Sequence, residues 1–152
     1  MIYPAQSDLS SDAGSAATFL IANSAMAVRD GLRSILQHPV MMQQSDDLRS
    51  SAEVVLAEAL NNIVEHAYAC ADGQIELHLR LASGGVDCDI FDTGSPMPNG
   101  KLPLGLAQST TADQDLPEGG FGWFMIRSLT SNLAYRRIDA RNHLSFQLNI
   151  EQ

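Results

Sequence analysis

Val55-Leu56-Ala57-Glu58-Ala59-Leu60-Asn61-Asn62-Ile63-Val64-Glu65-His66-Ala67-Tyr68 is a strongly apolar stretch that nevertheless carries a line of polar side chains. With about 3.6 residues per helical turn, positions four apart stack on one face, so Glu58, Asn62 and His66 project together while Val55, Ala59 and Ile63 face elsewhere. One side of such a helix packs; the other offers oxygen ligands and a base. Taken alone, the spacing fits a solvated face equally well, so the flanking sequence has to decide.

Working outward, Ser45-Asp46-Asp47 supplies a cap and acidic first-turn charges, and the helix then runs through Leu48, Ala52, Val55, Ala59 and Ile63 to about Cys70. Upstream, residues 17–22 form a short apolar strand. Ser24 then caps a helix with Val28, Leu32, Ile35 and Leu36 at helical spacing, ended by Pro39. Arg29, Asp30 and Arg33 share its outer face, which reads first as a solvated charged surface and second as a protein contact.

Downstream, Gln74 to Leu81 alternates strictly, with Ile75, Leu77, Leu79 and Leu81 on one face. Ser83-Gly84-Gly85 connects it as a hairpin to Val86-Asp87-Cys88-Asp89-Ile90-Phe91-Asp92. Asp92 shares the parity of Val86, Cys88 and Ile90, so the strand aims a carboxylate to its apolar side. Either a buried donor meets it there or it caps the following Thr93-Gly94 turn.

From Thr93 to Gly119 the chain holds Pro96, Pro98, Asn99-Gly100, Pro103 and Pro117 without sustained periodicity, and a connection of that length reads as a lid. Glu118-Gly119-Gly120-Phe121-Gly122 then leads into an apolar helix from Trp123 to Leu129. Glycines allow close backbone approach, and the unpaired N–H groups and positive dipole end of a helix attract anions. Leu133 to Ile138 and Leu144 to Ile150 close the chain as a hairpin, so the sheet is mostly antiparallel.

The 152 residues suit one domain, and 45% hydrophobic content can bury a core without disulfides. A formal charge of −9 argues against a nucleic-acid backbone or an anionic membrane as partner. Cys70 and Cys88 are too few for a disulfide scaffold and lack zinc-ligand spacing. Residues 1–14 read as a loose leader without the features of a signal peptide, and no apolar run is long enough to span a bilayer, which points to the cytoplasm. The expected organisation is that leader followed by a single domain over 15–152, with its lid at about 94–118.

Glu58 with Asn62 on a helix, Asp92-Thr93-Gly94 at a strand end and Gly119-Gly120-Phe121-Gly122 opening a helix occur in the order of the GHKL (Bergerat) ATP-binding superfamily, which the chain resembles over nearly its whole length. Glu58 to Tyr68, Asp92 to Pro96, Gly119 to Trp123, Arg127-Ser128-Leu129 and Tyr135-Arg136 are similar to the anti-sigma-factor serine/threonine-protein kinase branch. The resemblance implies an α/β fold of the α+β two-layer type. It consists of a mostly antiparallel mixed sheet of about five strands, covered on one face by about three helices.

The resemblance further implies that ATP and Mg2+ are the cofactors. Asn62 would coordinate Mg2+ and Asp92 accept a hydrogen bond from the adenine amino group, with Gly94 letting the base lie close. Gly120, Phe121, Gly122 and Trp123 would cradle phosphates, and Glu58 would act as general base. His66 would support the pocket, with a packed, backbone-bonded histidine as its plain alternative. The implied partners are an anti-anti-sigma STAS-domain protein, which is phosphorylated, and a sigma factor, which is sequestered; the branch also admits a homodimer. Two departures count against rapid transfer: Leu116-Pro117-Glu118 holds no basic residue before the phosphate loop, and Lys101 is the only cation between Asp92 and Arg127. They favour the alternative of an ATP-binding interaction module with little or no kinase activity. A polar contact from the last strand is left open between Asn142 and Ser145.

Overall fold

A computed structural model describes residues 15–67, 73–104 and 120–149. The alternating segments become strands β1 (Ala16–Ala22), β2 (Gln74–Ala82), β3 (Gly85–Asp92), β4 (Thr130–Ile138) and β5 (Arg141–Asn149). They form one sheet in the order β1-β2-β3-β5-β4, and every neighbouring pair is antiparallel. The sheet is therefore antiparallel throughout rather than mixed. Because side chains alternate across a strand, Ile75, Leu77 and Leu79 share a buried face with Val86, Cys88 and Ile90 and with Leu144, Phe146 and Leu148.

The described residues contain four α-helices: α1 (Ala25–Gln37), α2 (Pro39–Met42), α3 (Asp46–Asn62) and α4 (Gly120–Leu129). The sequence suggested three, with Pro39 as a terminator. Pro39 does close α1, but a proline is also tolerated in a first turn, and here it opens the short α2, where His38 Nδ1 accepts from Val40 N at 3.1 Å. Ser24 Oγ accepts from Ala27 N at 3.0 Å and Ser45 Oγ from Leu48 N at 3.1 Å, so both expected caps form. Val28 and Ile35 of α1, Val40 and Met41 of α2, Leu48, Ala52, Val55, Leu56, Ala59 and Leu60 of α3 and Ile126 of α4 join the sheet residues in one hydrophobic cluster. Helix α3 is its spine, packing against α1, α4 and β5.

The β2–β3 hairpin depends on Gly85, whose φ is +152° and whose missing Cβ would otherwise lie 1.7 Å from Leu148 O. Past Asn62 the backbone widens into a π-helical turn over Ile63–Ala67, where the sequence suggested a continuous α-helix to about Cys70. The leader, Cys70, Gly119 and the lid from 105 to 119 lie outside the described residues. No helix among the described residues is long and apolar enough to cross a membrane.

Candidate functional site

Two polar clusters interrupt the buried surface. The first is built from α3 and the opening of α4. Helix α4 begins at Gly120, three residues earlier than the apolar periodicity suggested, which places Gly120, Phe121, Gly122 and Trp123 in its first turn. The first four N–H groups of a helix have no partner within it, so this turn offers backbone donors. A Cβ on Gly122 would lie 2.5 Å from Glu58 Oε2 and 3.8 Å from Asn62 Nδ2. Glycine at this position is what lets the helix opening approach the carboxylate and the amide.

Asn62 is only 9% exposed, and its Nδ2 is buried with no hydrogen-bond partner among the described residues. Most buried polar atoms are paired, and an amide left open beside a helix opening is what a site for an oxygen-bearing ligand needs. Oxygen and nitrogen of an amide exchange by a half-turn of the side chain, so Asn62 can present either atom to such a ligand. Trp123 is 4% exposed and belongs to the core, leaving its backbone N–H as its contribution, whereas Phe121 is 59% exposed. The π-helical turn breaks the four-residue stacking after Asn62. The His66 side chain is 63% exposed, with Nε2 3.8 Å from Glu65 Oε2, so the reading of His66 as a packed histidine does not hold.

The second cluster sits where β3 and β5 pair. Asp92 is 5% exposed, on the apolar side of its strand as its parity required. Its Oδ1 accepts from Asn142 Nδ2 at 2.7 Å and from Gly94 N at 2.9 Å. Both sequence readings are therefore met at once: a buried donor and a turn cap. Burial raises the Asp92 carboxyl above its ordinary range, opposed by those two hydrogen bonds and by the charge of Arg137.

Asn142 is the residue that sequence reasoning left undecided. It stands directly opposite Asp92 in the β3–β5 register, is 4% exposed, and also donates to Gly94 O at 3.3 Å and Ser95 O at 3.0 Å. Its Oδ1 accepts from Tyr135 OH at 2.5 Å and from Arg137 Nη1 at 2.8 Å. Arg137 Nη1 donates to Gly94 O at 2.9 Å, and Tyr135 OH accepts from Met97 N at 3.0 Å. Three side chains of the closing hairpin thus clamp the backbone from Asp92 to Met97. Ser145, the other candidate, shares the outer face with His143 and Gln147.

Among the described residues no group of three or more His, Cys, Asp or Glu side chains could hold a metal ion. A magnesium ion held by one or two protein oxygens plus substrate phosphates and water is compatible with that, and the Glu58–Asn62 pair beside the α4 opening fits such a partial shell. Cys88 is no candidate nucleophile: burial, with Asp89 and Asp87 nearby, pushes its thiol well up.

Residues 21–148 match the family described as the histidine kinase-like ATPase domain. The chain is 34% identical over 113 residues to serine/threonine-protein kinase BtrW of Bordetella bronchiseptica, covering 72% of this chain and 78% of that protein. It is 33% identical over 86 residues to serine-protein kinase RsbW of Halalkalibacterium halodurans, covering 55% of this chain and 52% of that one. A solved structure, the histidine kinase domain of a blue-light activated histidine kinase from Erythrobacter litoralis, matches with a TM-score of 0.51 at 18% identity. That match spans 84% of this chain and 61% of the other and is a likeness of fold.

Proposed function

Because this chain belongs to the histidine kinase-like ATPase domain family, we propose that it binds Mg-ATP between the two polar clusters and acts as a serine/threonine-protein kinase of a partner-switching module. Its substrate in this reading is an anti-anti-sigma STAS-domain protein, and in its other state it holds a sigma factor. The observation that carries the proposal is the meeting of Glu58, Asn62 and Gly122 at the opening of α4, with the Asn62 amide buried and unpartnered. Names of the two protein-kinase relatives support the reaction class.

In this reading Asp92 and Gly94 take the adenine, the first turn of α4 takes phosphate oxygens through its N–H groups, and Asn62 turns an oxygen toward the metal. Magnesium, when bound, offsets the charge of the phosphates. Glu58 accepts the proton of the attacking serine or threonine hydroxyl. That oxygen bonds to the γ-phosphorus, the bond from phosphorus to the β,γ-bridging oxygen breaks, and ADP leaves. Phe121, exposed in the first turn, offers its backbone N–H to the same phosphates, and His66 is taken as a supporting residue.

The test is phosphate transfer from Mg-ATP to a STAS domain. The unmodified chain is expected to transfer, and Glu58→Gln to lose about 10²- to 10⁴-fold in rate while still binding ATP. A second reading, an ATP-dependent binding module, is favoured by one feature: the cations described on either side of the lid are Lys101, which is exposed, and Arg127, whose Nε is committed to Pro103 O at 3.0 Å. ATP binding without any transfer would select it.

A further inference from the structure

Helices α1 and α3 leave a groove of about 780 Å³ between them, lined by neither Glu58 nor Asn62. Its floor includes Val28, Leu32 and Leu36, a row at four-residue spacing along α1, and its rims include Arg29 and Arg33 of α1 and Arg49 of α3. We propose that this groove is a docking site for an acidic amphipathic helix of a partner protein. The inference does not depend on the kinase reading.

Charge is the first argument. The chain has nine lysines and arginines and a formal charge of −9, yet three of its arginines line this one groove, and among the described residues Glu53 is the only carboxylate lining it. Arg29 and Arg33, both exposed, form no ion pair with any described residue. Among the described residues the one ion-pair partner of Arg49 is Asp46, at 3.5 Å and fully exposed.

The second argument is an unmet donor. Arg49 Nε is buried and has no hydrogen-bond partner among the described residues. A guanidinium in that state is a ready partner for an incoming carboxylate, which it can meet with a planar fork of N–H groups.

Shape is the third. From Val28 to Leu36 the apolar row runs roughly 12 Å, about two helical turns, which matches the anchors a helix presents at i, i+3 or i+4 and i+7. Met42, at one end of the groove, is 53% exposed and adapts to varied apolar side chains. A nucleic-acid backbone would meet the arginines but leave the apolar floor unused, and the surrounding acidity would repel it. An acidic helix with one apolar stripe uses both features.

The groove also neighbours the candidate nucleotide site. On α3 the groove-lining Arg49, Glu53 and Asn61 form a row one residue removed from Glu58 and Asn62, so the helix carries two functional faces side by side.

The probe for the test is a fluorescein-labelled, helix-stabilised peptide with leucines on one stripe and glutamates elsewhere, titrated with the full chain by fluorescence anisotropy. Binding is expected to weaken at least about tenfold (~1.4 kcal/mol) in the double variant Arg29→Glu/Arg33→Glu and to fall with added salt. ATP affinity is expected to stay unchanged, which shows that the variant folds. Arg49→Gln is expected to weaken the peptide as well.

Equal binding of a scrambled peptide of the same composition, or binding indifferent to the arginine substitutions, would overturn the proposal. Binding of a single-stranded oligonucleotide at this groove in place of the peptide would also do so. A synthetic peptide of residues 1–14, which carries Asp8 and Asp12, displacing the probe at equal or lower concentration would assign the groove to the chain's own leader and refute a partner helix.

Discussion

Replacing Asp92 by asparagine tests the base end of the site at a single atom. The two described hydrogen bonds to its carboxylate, from Asn142 Nδ2 and Gly94 N, both fall on Oδ1. An isosteric amide can keep both on its own oxygen. What changes is the second position, where a carboxylate oxygen becomes an NH2 group and an acceptor becomes a donor. In the proposed pose that atom faces the 6-amino group of adenine, itself a donor. Losing a hydrogen bond to a charged acceptor costs about 1.5–3 kcal/mol, and opposing two donors brings the expected loss to about 2–4 kcal/mol. ATP affinity should therefore fall roughly 30- to 1,000-fold.

Inosine triphosphate carries an oxygen at the same place on the ring, and the new NH2 group can donate to it. The ratio of ATP to inosine triphosphate affinity should collapse in Asp92→Asn, while the unliganded protein stays folded. Calorimetric titration of both nucleotides into both proteins reads all of this. An ATP affinity within about threefold of the original, ~0.7 kcal/mol, with the ratio unchanged, would remove Asp92 from the site.

Gly122→Ala should separate function from stability. Its Cβ, 2.5 Å from Glu58 Oε2, displaces the tip of a flexible side chain, so unfolding free energy should change by less than about 1 kcal/mol while transfer falls about 10²-fold. Ala140 at φ 63° sits with Asp139 at φ 52° in the β4–β5 turn, a conformation that strains a residue with a Cβ. Ala140→Gly should raise stability by about 0.5–1 kcal/mol in urea unfolding and leave nucleotide affinity alone. The raised carboxyl of Asp92 makes the folded chain hold a proton that the unfolded chain has already released, so this group's contribution to stability falls as pH rises from the ordinary aspartate range through the folded value. Relative to the original protein, Asp92→Asn should therefore gain stability as pH rises across that window, and urea unfolding at acid and neutral pH would read the difference.

Periodicity made most of this fold legible. Strict alternation placed β2 and β3, helical spacing placed α1 and α3, and the parity of Asp92 identified an inward carboxylate before any topology was known. Asn142 obeys the same rule, sharing the parity of Leu144, Phe146 and Leu148, whereas Ser145 alternates outward with His143 and Gln147. Parity could have chosen between them. It could not have shown that Asn142 stands opposite Asp92, because that register depends on β5 inserting between β3 and β4, a pairing no local pattern encodes. The π-helical turn after Asn62 was equally hidden, since a continued four-residue row is what a regular helix predicts, and His66 left that row when the turn widened.

The two clusters break the pattern of a buried core in different ways, and the difference bears on how the site works. Asp92 and Asn142 are buried polar groups that satisfy one another, and Tyr135, Arg137 and the backbone at Gly94 and Ser95 complete the network. A fully paired network of that kind is rigid and needs no ligand to hold its shape. At the opening of α4, Asn62 Nδ2 has no partner among the described residues, and Glu58 comes close to the helix backbone only because Gly122 carries no side chain. In the proposed pose the base end of the site is thus assembled in advance, while the phosphate end keeps open hydrogen-bonding capacity. Binding free energy from the adenine can then be used, in that pose, to order the groups around the phosphates.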